Sequence, residues 1–149
     1  MALADRIAYE AKEREAAAVF IDSGGGAGVI DRLRQLGHCV TEVNFGGRPG
    51  NPERYRNRRI EMWTRLRDWL REGGVIPKDD ALRAELSTPT YFFEASGAMR
   101  LEAKDKIKER LLRSPDRADA LALTFALPVA APDVALRAKR AREYDPLEW

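Results

Sequence analysis

The stretch Val19-Phe20-Ile21-Asp22-Ser23-Gly24-Gly25-Gly26-Ala27-Gly28-Val29-Ile30-Asp31-Arg32-Leu33 decides how the rest of the chain reads. Val19, Phe20 and Ile21 are consecutive large apolar residues with strand propensity, as expected where both faces of a sheet are covered. The run ends in a carboxylate, the carboxylate meets glycines, and the glycines open a helix. α/β proteins present their chemistry at this carboxyl edge of a sheet. The spacing predicts a strand over 16–22, a glycine turn, and a helix over 27–36 with Val29, Ile30, Leu33 and Leu36 on its apolar face. Gly37 is placed to cap that helix at its C-terminus.

Upstream, Leu3, Ile7, Ala8 and Ala11 recur at helical spacing among charges and predict an amphipathic helix over 3–15. Downstream, a second strand over 39–45 makes the order helix, strand, helix, strand, which implies parallel pairing through a right-handed crossover. Gly46-Gly47-Arg48-Pro49-Gly50-Asn51-Pro52 is a loop rich in breakers, followed by the longest expected helix, over 53–72. Ile60, Trp63, Leu66 and Leu70 form its apolar stripe, with Met62 and Trp69 beside it. A short helix is expected over 79–86, then a hairpin in which 90–94 and 99–102 flank the turn Ala95-Ser96-Gly97-Ala98, then a charged helix over 104–112. Ser114 as N-cap, Pro115 at the first helical position and Asp116 in the first turn predict a last helix reaching about Leu127. The chain divides into a domain over 1–128 and a charged C-terminal tail or arm over 129–149.

With 149 residues the chain is long enough for one core, and 44% hydrophobic with 34% charged residues is ordinary globular composition. No apolar run approaches the roughly 20 residues of a membrane span, and the amino terminus is charged and amphipathic rather than a signal peptide. One cysteine and one histidine exclude an internal disulfide and a zinc cage, so a bound metal has to be held by carboxylates. The net charge of +2 says little about partners, although arginines cluster at Arg54, Arg56, Arg58, Arg59 and again at Arg137, Arg140, Arg142. Cys39 is expected at the start of a buried strand, and His38 as a surface or cap residue.

Asp22 admits several readings. It is a helix N-cap or turn carboxylate; or, with Gly24, Gly25, Gly26 and Gly28, part of a D-x-G-x-G-x-G cofactor loop with Glu42 as the ribose-binding acid; or a metal ligand beside glycines that admit a phosphodiester backbone. The full G-x-G-x-x-G fingerprint is not met, because Val29 stands at its last glycine, and no Lys-Ser or Lys-Thr completes a P-loop. Asp116 and Asp119 lie three apart and share one helix face. Asp119 sits beside Ala118, Ala120, Leu121 and Leu123, where an acid needs a partner, and a hard divalent cation shared with Asp22 supplies one.

Four blocks carry a family resemblance: 19–33, Tyr55-Arg56-Asn57-Arg58-Arg59-Ile60-Glu61-Met62-Trp63, Leu101-Glu102-Ala103-Lys104-Asp105, and 114–125. In this order they resemble the carboxyl-terminal nuclease domain of tailed-phage terminase large subunits, over about residues 15–128. The resemblance implies a ribonuclease-H-like α/β fold, here partial, with a short, mostly parallel sheet, flanking helices and a β-hairpin. It implies a metal-dependent endonuclease acting on double-stranded DNA during genome packaging, using Mg2+ or Mn2+, beside other terminase or portal components in the cytoplasm of a bacterial host. Asp22, Asp119 and Asp116 become the catalytic and metal-binding acids, and Gly24, Gly25, Gly26, Arg56, Arg58, Arg59 and Lys104 the DNA-facing groups. The family fold begins with further strands, the first bearing another aspartate, and is preceded by an ATPase motor. A helix alone precedes Asp22, so the resemblance implies an incomplete domain that is inactive alone or a non-catalytic DNA- or partner-binding remnant. It also implies a sheet edge beside Asp22 open to self-association.

Overall fold

The computed structural model describes residues 2–129, so the expected tail over 129–149, with its second arginine cluster, lies outside the described residues except for Val129. Chain order gives α1 (Ala2–Glu13), β1 (Phe20–Asp22), α2 (Ser23–Gln35), β2 (Thr41–Val43), α3 (Arg58–Arg71), α4 (Asp80–Ser87), β3 (Tyr91–Phe93), β4 (Met99–Leu101), α5 (Lys104–Leu111) and α6 (Asp116–Leu123). β1 pairs with β2 in parallel, with Phe20 opposite Thr41 and Asp22 opposite Val43, and β3 pairs with β4 as an antiparallel hairpin. The mixed α/β architecture and the crossover follow the sequence pattern.

Several boundaries differ, each for a local reason. β1 and β2 are three residues each, shorter than the apolar runs, because only one neighbour strand is present on which to extend a ladder. There is no glycine loop after β1. Asp22 is extended (φ −67°, ψ 126°) and accepts a hydrogen bond from the Gly24 amide at 3.2 Å, so α2 starts at Ser23 and Gly24, Gly25, Gly26 and Gly28 lie inside it. Its far end is as expected: Gly37 has φ +81°, and the Gly37 and His38 amides bond to the Arg34 and Leu33 carbonyls in a Schellman arrangement.

The long helix starts five residues later than its pattern suggests, at Arg58 rather than 53. Residues 54–56 run strand-like beside β4, with Arg56 donating to the Met99 carbonyl and Met99 to the Arg54 carbonyl, and Asn57 Oδ1 then caps the Ile60 amide at 3.2 Å. Ser114 does not cap α6, which begins after Pro115. The buried Glu85 carboxylate caps it from α4, accepting from the Arg117 and Ala118 amides at 2.9 and 3.1 Å. Cys39 precedes β2 and is exposed, and Leu3 on α1 is exposed while Ala4 is buried.

The stripe on α3 forms the core. Met62, Trp63 and Leu66 pack with Val43 against Ala118 and Ala122, whose small side chains let α6 approach α3 closely, and against Ala126 just beyond it. Trp69 and Phe125 extend this contact with ring centroids 5.6 Å apart. A fully buried side chain such as Leu66 contributes about 1.5–3 kcal/mol by leaving water. A second cluster, Tyr55, Ile60 and Met99, joins α3 to the hairpin. α6 also packs against α4 and β1, which brings the last helix over the strand that ends in Asp22.

Candidate active site

α6 buries Asp119 at 5% exposure, and the polar groups around it come from other elements. From α3, Arg59 Nε donates to Oδ1 at 3.1 Å and Trp63 Nε1 donates to the same oxygen at 3.0 Å. From the start of α5, Lys104 Nζ lies 2.9 Å from Oδ2. Arg59 and Trp63 meet because they stand one helical turn apart, and the guanidinium lies 5.9 Å from the indole centre. The expected need of Asp119 for a partner is thus met by two cations and an indole N–H. Trp63 has a second role that its apolar company in the sequence hides; the signal for it is the Arg59–Trp63 spacing facing an acid on another helix.

Asp116 lies one turn before Asp119 with its side chain exposed, and its Oδ1 is 3.9 Å from the same Lys104 ammonium. Lys104 therefore stands between two carboxylates. Asp22 sits at the end of β1, against which α6 packs, with Oδ1 turned to the Gly24 amide. Among the described residues no three acidic, histidine or cysteine side chains are close enough together to hold a metal ion. The fit to a divalent cation is partial: one cation position between Asp116 and Asp119 exists, and Lys104 fills it.

The remaining DNA-facing candidates are divided by the fold. Gly24 and Gly25 are exposed on the first turn of α2, and Gly26 packs on Ile21. Arg58 is turned inward to Glu61 and the Ala126 carbonyl, Arg59 and Lys104 to Asp119, and Arg56 is exposed. Glu61, without a role in the sequence reading, is 2% exposed and accepts from Arg65 at 2.8 Å and from the Gly50 amide at 2.9 Å, tying the 46–52 loop to α3. Glu42 faces solvent with Arg34 at 3.6 Å.

Neither family models nor curated proteins yield a match. Solved structures do. The nuclease domain of the large terminase subunit gp2 of bacterial virus Sf6 superposes with a TM-score of 0.68 at 22% identity, over 85% of this chain and 72% of that one. A lysine-to-alanine variant of that protein solved with calcium gives 0.66 at 22% identity, over 84% and 71% of the two chains. A variant of the Sf6 domain solved with manganese gives 0.63 at 23% identity, over 84% and 72%. The chain has the fold of a terminase large-subunit nuclease domain.

Proposed function

We propose that this chain is a terminase-type, metal-dependent DNA endonuclease domain, with Asp22, Asp119 and Asp116 as its acids and double-stranded DNA as substrate. The observation that carries this reading is a buried carboxylate, Asp119, paired with Asp116 around one cation position on a helix that packs against the Asp22 strand. The neighbours solved with manganese and with calcium support a divalent cation, for which we propose Mn2+ or Mg2+; Asp116 and Asp119 would hold it at the position that the Lys104 ammonium takes, with Asp22 on the adjoining strand. Such an ion supplies charge neutralisation at a phosphodiester, and hard cations prefer the oxygen donors present here. Incubation of supercoiled plasmid with the chain and Mn2+ tests it: nicking is expected and is abolished by Asp22→Asn and by Asp119→Asn. Nicking that persists in Asp22→Asn, or none in any divalent metal, contradicts it.

A second reading, a DNA- or partner-binding chain without cutting activity, is favoured by the neutralisation of Asp119 by Arg59 and Lys104 and by its hydrogen bond from the Trp63 indole. Here the cluster is structural, and Asp119→Asn lowers stability while metal has no effect on it.

A further inference from the structure

We propose that the cleft between the 46–52 loop and the tip of the β3–β4 hairpin binds an unpaired DNA strand, with phosphates on Arg48 and Arg56 and a base stacked at Phe92 and Arg100. The choice of DNA rests on the function proposed above; the surface does not include the Asp22, Asp116 and Asp119 residues.

The cleft has a volume of about 290 Å³ and is walled by Arg48, Pro49, Tyr55, Arg56 and Glu94. Its floor is stiff. The parallel bridge of Tyr55 to Met99 and the paired amides of 54–56 and β4 fix the Arg56 backbone, and Tyr55 and Met99 are buried beneath. Arg56 and Arg100 both approach Glu94, at 3.6 and 3.4 Å, with side chains 61% and 49% exposed, so they share one face of the ribbon. Phe92 is the register partner of Arg100 on that face, with the guanidinium 5.8 Å from its ring centre.

Two features select the ligand. Arg48, Arg56 and Arg100 outnumber Glu94, so the surface is cationic and complements phosphate. Of the exposed aromatics of β3, Phe92, at 46%, stands on the arginine face, while Tyr91 and Phe93 pack edge to face on the opposite one with centroids 6.0 Å apart. A half-exposed ring flanked by guanidinium groups is a stacking platform rather than surplus core. Cations beside exposed rings are how proteins grip single strands, because a base offers its π-face only when unpaired and unstacked. The arginines read the backbone and Phe92 reads the base face, so neither a duplex nor a simple polyanion satisfies both.

Fluorescence anisotropy of the full chain with labelled oligo-dT, in EDTA, tests this against a matched duplex and polyglutamate. Oligo-dT is expected to bind more tightly than both. Arg48→Ala with Arg56→Ala weakens it about tenfold and reduces the salt slope by about 1.4, the value for two phosphate contacts on a single strand. Phe92→Leu keeps an apolar side chain, removes the aromatic face, and costs about tenfold. Equal affinity for duplex and oligo-dT with no effect of Phe92→Leu overturns the site, as does polyglutamate binding as tightly as oligo-dT. A chain that binds oligo-dT with these dependences but does not nick plasmid contradicts the proposed nuclease and supports this site.

Discussion

Asp119 is held by hydrogen bonds that a conservative change can remove singly. Trp63→Phe removes the 3.0 Å N–H donor together with part of the ring volume in the core, so a loss of at least about 1–2 kcal/mol is expected in urea denaturation. An unchanged stability shows that Arg59 and Lys104 satisfy the carboxylate alone. Glu102 provides a second residue-scale expectation. The Arg110 hydrogen bond, with the Thr90 amide and hydroxyl, holds its carboxyl below the ordinary glutamate range despite burial. A carboxyl with a depressed folded-state pKa stabilises fully above the unfolded value, about 4.3, and loses that contribution as pH falls through the folded value. Urea midpoints taken downward from neutral pH are expected to fall more for the wild type than for Glu102→Gln in that acid window; parallel curves exclude the linkage.

At the scale of the element, the junction of β1 and α2 is the most informative. A Cβ on Gly26 would lie 2.5 Å from Ile21 Cγ2, whereas one on Gly28 meets nothing within 4 Å. Gly28→Ala is expected to raise stability by about 0.5–1 kcal/mol through helix propensity, and Gly26→Ala to lower it by about 1–2 kcal/mol as Ile21 is displaced. Thermal melts of the two variants moving in the same direction contradict this packing. The strand, the helix and their order were legible in the apolar run and in the periodicity of Val29, Ile30 and Leu33. The start of α2 was not, because four glycines signal a turn by propensity, and only the Asp22 cap and the close approach of Ile21 make them helical. The α6 cap was hidden for a related reason: Ser114 stands at the right place in sequence, but Glu85, far away in sequence, occupies the amide end of the helix. Likewise Arg58, Arg59 and Lys104 read as DNA-facing cations, and the packing of α3, α5 and α6 turns them to Glu61 and Asp119.

For the whole molecule, the fold likeness and the sparse sheet belong together. β1 has a strand partner on one side only, β2, and its other edge is unpaired with any strand among the described residues. An open edge next to Asp22 favours pairing with a second chain, and we expect concentration-dependent association in size exclusion with light scattering; a strict monomer at high concentration opposes it. The acids at the ends of β1 and α6 were legible as residues, since a strand-terminal aspartate and an aspartate in an alanine-rich helix are both conspicuous. Their partners were not, because ion pairs between helices leave no local spacing in the chain. Whether Asp22, Asp116 and Asp119 form a metal site is tested most directly by calorimetric titration of the chain with Mn2+, alongside the Asp22→Asn, Asp119→Asn double variant checked by circular dichroism for its fold. Saturable Mn2+ binding that the folded double variant lacks is expected; no heat of binding at millimolar Mn2+ in the wild type contradicts a metal site on these carboxylates.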